Sequence, residues 1–343
     1  MLLTALAQRK NPKWSPMKPP KVELLQAGGK LPPFHRFSHR AMATVFEIFI
    51  VADDFAYAEQ AAHAAFTELY FIEMELSRYV PGSDISRLNT LPPNKILQIG
   101  HDAFECLNVC KALHVHTGGA FDVSVGAVLD CWRQASKKGR LPAAEALAAA
   151  KKRCGLERLD VDEQTHTVCV QGDDSLLIDL GGFGKGYAVD RLAELLEEWS
   201  IEHALIHGGS SSILATGELI AGTGWPISLS QPGEQQMLLA TAHLRNRAIS
   251  GSGVQKGQHI IDPRTGEPAT AQQAAWAVTP NAALRDALST AFMIMSPPEI
   301  EAFCRAHSEV QALLILGEHQ QPDRSIRVLH FGDWYNLSIR TEP

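Results

Sequence analysis

The segment at 176–190, LLIDLGGFGKGYAVD, constrains the chain more than any other. An apolar run, Leu176-Leu177-Ile178, meets four glycines and a lysine within the stretch 181–186. Beyond it Ala188, Leu192, Leu195, Leu196 and Trp199 recur at helical spacing. The pattern predicts a strand at 176–180, a tight turn, and a helix over 187–199. Such a turn presents free backbone N–H groups and a positive helix end to an anion. The named phosphate loops do not fit. Asp179 stands where a Walker A loop needs glycine, Gly186 where it needs Ser or Thr, and Val189 where a dinucleotide loop needs glycine. Asp179 would also repel a bare phosphate unless a cation intervened, and a metal would supply one. The same glycines would equally serve a turn that only packs helix closely on sheet.

Residues 1 to about 35 are rich in proline and lysine and lack apolar periodicity, which predicts an extended arm ahead of one domain over 36–343. TVFEIFIV reads as a strand, and the alanine-rich stretch 56–76 as a helix through Ala65, Phe66, Leu69, Ile72 and Leu76. Further helices are expected at about 103–116, in PAAEALAAAKKR with Pro142 in the first turn, and at 281–295. RLDVDEQTHTVCVQ reads as a hairpin, HALIHGG as a strand, and VQALLIL and IRVLHF as a closing pair. Strands and helices mix without βαβα alternation, so the fold class is α+β.

With 31 basic against 38 acidic residues, a net charge of −7 and no basic block, the chain lacks a nucleic-acid footprint. No apolar run approaches the ~18 residues that span a bilayer. The start carries neither a basic region nor a small-residue cleavage site, so the expected location is cytoplasmic. Six scattered cysteines in a chain this long are expected to be reduced thiols, and Cys106 and Cys110 to be buried rather than metal-bound.

Four other segments carry chemistry. Asp286 and Thr290, four apart on a helix, share one face, and carboxylate plus hydroxyl is hard-oxygen ligation suited to Mg²⁺. A solvated Asp286 and a Thr290 bonded to its own helix would look the same in sequence. In GQHIIDPRTGEPA, His259 and Asp262 flank Ile260-Ile261 ahead of a Pro-Arg-Thr-Gly turn; His259 there is either a base or structural. In TGGAFDVSVG, Phe121 and Asp122 follow glycines that let backbone approach a ligand closely. In ELSRYVPGSDISRLN, Tyr79 offers a flat ring, Arg78 and Arg87 offer charge, and Ser83 reads as a helix N-cap.

Taken in order, AMATVFEI, LSRYVPGSDISRLN, GGAFDVSVG, DLGGFGKGYAVD, HGGSSSILATG, HIIDPRTG and DALSTA resemble the ApbE-type FAD:protein FMN transferases, from residue 40 to about 295. The resemblance implies an α+β fold with mixed or antiparallel sheets and FAD in a central cleft. It implies transfer of the FMN half of FAD, with Mg²⁺ at the pyrophosphate, to a Thr or Ser hydroxyl of a target flavoprotein, releasing AMP. It maps the metal to Asp286, Thr290 and the main-chain carbonyl of Gly182. It maps FAD contacts to Met42, Tyr79, Ala120, Phe121, Asp122, Asp179, Lys185, His259 and Ile260. His259 or Asp262 would be the base for the incoming hydroxyl.

The chain departs from that pattern in four places. The family usually has Ala at Gly182 and Gly184, Asn after HGG where this chain has Ser210-Ser211-Ser212, and an acid where it has Ser289. SGSGVQKGQ replaces an acidic and aromatic segment. The alternatives are therefore an FAD pyrophosphatase releasing FMN and AMP, and a non-catalytic FAD-binding protein.

Overall fold

The computed structural model describes residues 32–339, except 220, 232–233, 255–259, 317–326 and 335–336. The predicted arm falls outside the described residues up to residue 31. Its end does not: Phe34 and His35 begin strand β1 (Phe34–Ala41). β1 pairs with β2 (Thr44–Val51) across a two-residue turn at Met42 and Ala43, both left-handed at φ 49° and 57°. The turn has the hairpin geometry without its usual Asn-Gly signature. The arginines and histidines of β1 suit an edge strand, which hid it from an alternation test.

An eight-stranded antiparallel sheet forms the centre. It runs β1–β2–β6 (Ala204–Gly208)–β7 (Ser212–Thr216)–β10 (Arg247–Gly253)–β13 (Gln272–Thr279)–β14 (Gln311–Leu316)–β15 (Val328–Phe331). The expected closing pair is β14 with β15. Both faces are covered. Phe46, Ile48, Ile206, Leu214, Ala275 and Leu314 point into the core shared with the helices. Leu205, Ala215, Ile249, Val278, Leu313 and Ile315 point into a second core with a small sheet that contains β8 (Trp225–Gln231) and β9 (Glu234–Leu244). This two-sided burial is why QALLIL in β14 reads as a continuous apolar run.

The helix layer follows the apolar periodicity. Helix α1 (Phe55–Leu76) buries Ala58, Ala61, Ala62, Ala65, Leu69 and Ile72. Helix α2 (Asp84–Thr90) starts at Ser83, whose hydroxyl accepts from Ser86 N as expected of an N-cap. Helix α3 (His101–His116) buries Cys106 and Cys110, both free thiols pushed well up by burial. Helix α4 (Gly126–Lys137) precedes α5 (Ala144–Lys151), and Pro142 stands two residues before α5 rather than in its first turn. The predicted hairpin is β4 (Leu159–Asp162) with β5 (Thr167–Val170).

The expected strand at 176–180 does not form. Leu177 makes one isolated bridge with Val125, and Ile178 is held by both ends of the Asn89 amide, at 2.6 and 2.9 Å. A side chain and a loop thus satisfy the backbone that a sheet was expected to satisfy. Helix α6 (Gly184–Glu198) starts three residues earlier than expected, so Gly184, Lys185 and Gly186 form its first turn.

Helix α6 crosses α7 (Ala282–Phe292) at glycine distance: a β-carbon on Gly186 would stand 2.3 Å from the carbonyl oxygen of Ala282. The contact is reciprocal. Gly186 N donates to Asp286 Oδ2 at 2.9 Å, while Ala282 N and Ala283 N donate to the two oxygens of Asp190 at 2.6 and 2.7 Å. Asp190 and the N-cap Asn281 between them satisfy the first turn of α7.

Gly186→Ala is therefore expected to destabilise the protein by about 1–3 kcal/mol or more, read as a lowered urea midpoint. Gly184→Ala, whose β-carbon would meet Leu180 Cβ at 3.7 Å, is expected to leave the midpoint unchanged or raise it. Burial raises the Asp190 carboxyl to about 6, against the pull of the two N–H groups. A carboxyl raised in the fold holds its proton more tightly than in the unfolded chain. Its stabilising share is complete below the unfolded value near 3.8 and lost as pH rises through about 6. The melting-temperature difference between wild type and Asp190→Asn should shift against wild type between pH 4 and pH 7.

Candidate active site

The glycine loop, α7, the start of β13 and the DPRTG turn enclose a cavity of about 660 Å³, within the range of small-molecule sites. Asp286 lies in its floor, 3% exposed. Ser212 Oγ and Ser250 Oγ donate to its Oδ1; Gly186 N and, at 3.4 Å, Lys185 Nζ approach its Oδ2. All acceptor sites of the carboxylate are thus engaged. The two serines come from β7 and β10, and no sequence spacing links them to Asp286.

Thr290 follows one turn later on the same face of α7, and its hydroxyl donates to Asp286 O at 3.1 Å. Gly182 packs against it: a β-carbon there would stand 3.3 Å from Thr290 Oγ1. Ser252 lies 3.4 Å from Thr290 Oγ1 and 2.9 Å from Ser289 Oγ. Asp286, Thr290 and Gly182 therefore meet, all within the cavity lining. The α6 N-terminus serves this corner differently from an anion cradle, since the Gly186 N–H binds the chain's own carboxylate.

The donor set fits a hard divalent cation. The Asp286 carboxylate and the Thr290 hydroxyl meet beside Gly182, and the Lys185 ammonium, 3.2 Å from Gly181 O and 3.4 Å from Asp286, stands between that loop and the carboxylate. Among the described residues no three His, Cys, Asp or Glu gather into a metal cluster. A one-carboxylate corner suits a cation that completes its shell with water and phosphate, as Mg²⁺ does.

At the other end of the loop Asp179 is neutralised from within the protein. Its Oδ1 accepts from Gly181 N at 2.8 Å, and its Oδ2 pairs with Arg78 at 3.2 Å. Arg78 also grips both oxygens of Asp130 at 2.6 Å. Burial works to lower the Arg78 pKa, but Asp179 and Asp130 outweigh it and the group ends raised. The cation that Asp179 was expected to need is thus an arginine. Arg87 is spent elsewhere, on Asp84 and Gln98 O. Arg133, which sequence reasoning did not single out, lines the mouth; its only local signal is Asp130 three residues earlier.

The remaining predicted residues divide. Ala120, Phe121, Asp122 and Ile260 line the cavity, yet the Asp122 carboxylate is engaged within the protein, accepting from Ser124 N at 2.7 Å, Ser124 Oγ at 2.6 Å and Leu156 N at 3.4 Å. Tyr79 stands outside the lining, 70% exposed, with its ring under the Arg78 guanidinium. Met42 lines a shallow neighbouring groove that meets the cavity at Ser210, and its N–H donates to Glu73 at 2.8 Å. Asp262 is not in the lining, and its carboxylate accepts from Arg264 N at 2.9 Å and Arg264 Nε at 3.0 Å. His259 lies outside the described residues.

Comparison with known proteins gives one consistent answer. The FAD:protein FMN transferase of Klebsiella pneumoniae is 27% identical over 280 residues, covering 78% of this chain and 80% of that protein. The Escherichia coli K12 protein of the same name is 26% identical over 253 residues, covering 70% and 72%. The flavin transferase ApbE of Vibrio cholerae has this fold, with a TM-score of 0.76 at 23% identity over 87% of this chain and 97% of that one. Pseudomonas stutzeri flavinyl transferase ApbE, in its apo form, matches at 0.76 and 22% identity over 88% and 96%. The ApbE family profile spans residues 42–314, and the chain belongs to that family.

Proposed function

We propose that this chain is an FAD:protein FMN transferase, taking FAD as substrate and a Thr or Ser hydroxyl of a target flavoprotein as acceptor, and releasing AMP. Relatives that align over most of their length bear that name. The observation that carries the reading is the convergence of Asp286, Thr290 and Gly182 in the floor of one cavity, with Lys185 beside them. Asp286, Thr290 and the Gly182 carbonyl would hold Mg²⁺, which when bound supplies charge neutralisation at the diphosphate. The backbone of Ala120–Phe121–Asp122, Asp179, Lys185 and Ile260 would contact the flavin nucleotide within the cavity, with Met42 and Tyr79 at its edges.

The transfer asks more for positioning than for covalent help. The acceptor oxygen forms a bond to the flavin-side phosphorus, the phosphoanhydride bond to the AMP phosphate breaks, and AMP leaves with the electron pair. The acceptor's proton needs a base, and His259 is the candidate. Lys185, 3.4 Å from Asp286, would turn its ammonium from that carboxylate to a phosphate oxygen.

Incubation with FAD, Mg²⁺ and a target flavoprotein domain should give AMP and a target heavier by one FMN. AMP without adduct would show a pyrophosphatase, and tight FAD binding without AMP a binding protein. Asp286→Ala should lower turnover by at least a hundredfold, roughly 2.7 kcal/mol or more at the barrier. With FAD present, it should also abolish the melting-temperature rise expected of the wild type on adding Mg²⁺. Unchanged turnover in that variant would remove the metal assignment.

A further inference from the structure

Among the described residues, Arg133 is the one cavity-lining cation outside the metal corner and the sequence motifs. It sits on α4, which is held at two neighbouring residues: Asp130 by Arg78, and Trp132, whose indole Nε1 donates to Gly266 O at 2.9 Å. The side chain therefore projects from a fixed element at the mouth, 46% exposed. Its closest contacts fall on one nitrogen. Nη1 lies 3.2 Å from Tyr79 Oη, 3.6 Å from Asp130 Oδ1 and 3.8 Å from Asp179 Oδ2. Nη2 and Nε donate no hydrogen bond among the described residues. A guanidinium offers five donors in a plane, and one edge of this one is unused.

The charge count sharpens the point. Asp130 and Asp179 bring two negative charges to the mouth, and Arg78 cancels one of them. Without Arg133 the entrance to the glycine loop would carry a net negative charge and oppose a diphosphate. With it the entrance is neutral and has a free guanidinium edge. Along the loop, Arg133 approaches Asp179, Asp179 caps Gly181, and Gly181 O meets Lys185. Two cations therefore bracket the loop, Lys185 at the metal corner and Arg133 at the mouth.

We propose that Arg133 is a phosphate-reading residue of the cavity. It gives its free guanidinium edge to a non-bridging oxygen of the substrate's diphosphate, at the opposite end of the glycine loop from Lys185. The proposal rests on the flavin-dinucleotide reading above. Lysine at 133 would restore the charge but not the planar edge.

The test uses the full chain in EDTA, so that no divalent cation contributes. FAD, riboflavin and ADP are titrated against wild type, Arg133→Gln and Arg133→Lys, by flavin fluorescence or calorimetry. Arg133→Gln should weaken FAD and ADP roughly tenfold or more, about 1.4 kcal/mol per factor of ten. Riboflavin should stay within twofold, and Arg133→Lys should recover part of the loss. Unchanged FAD affinity in Arg133→Gln, or an equal loss for riboflavin, overturns the proposal and leaves the flavin reading standing. Wild type that binds no FAD overturns both.

Discussion

The crossing of α6 and α7 is the contact on which the site depends. Each helix contributes backbone donors to a carboxylate of the other: Gly186 N to Asp286, and Ala282 N with Ala283 N to Asp190. Only a residue without a β-carbon lets the axes come this close at position 186. Arg285, fully buried, lies beside both carboxylates and donates to Ile213 O; burial pulls its pKa down to about 9, against the pull of Asp286 and Asp190. Two carboxylates and a guanidinium this deep hold their geometry because loss of any one strands the others in a low dielectric. The position of Asp286 and Thr290 opposite the glycine loop is thus inherited from helix packing, not from the loop's own stiffness.

The same logic explains why a glycine-rich loop opens with an acid. Asp179 is a joint rather than a ligand-facing charge: it caps the turn with one oxygen and receives Arg78 with the other. Arg78 in turn ties α4 to the end of α1 through Asp130. The loop is therefore anchored at one end by an ion pair and at the other by a charged hydrogen bond, each reaching a different helix.

What was legible in the sequence was local. The alanine face of α1, the 159–170 hairpin, the Ser83 cap and the Asp286–Thr290 spacing are all set by neighbours within a few residues. The misread elements had their local signal overruled by distant partners. Leu176-Leu177-Ile178 looks like a strand, but an asparagine 89 positions away takes its hydrogen bonds. Phe34 and His35, read as the end of the arm, open β1, because an edge strand can be polar. Within the site, Arg78 with Asp179, Gly186 with Asp286 and the serines on Asp286 each join residues 36 to 101 positions apart, and one chain gives no pattern for that.

The serines bear on the departures from the family pattern. Of the run Ser210-Ser211-Ser212 that departs from the expected Asn, Ser212 is hydrogen-bonded to Asp286, and Ser289, at the expected second acid, is hydrogen-bonded to Asp286 O and near Ser252. Asp286 is thus the lone carboxylate at the corner, and Ser212 and Ser250 disperse its charge by donating to Oδ1 alone. Its Oδ2 accepts from Gly186 N and faces Lys185. If the proposed Mg²⁺ sat there, a carboxylate oxygen, a hydroxyl and a peptide oxygen would leave half of an octahedral shell to water and phosphate. Such a corner has little reason to hold a cation tightly by itself, and its affinity for one should rise when a diphosphate arrives to share it.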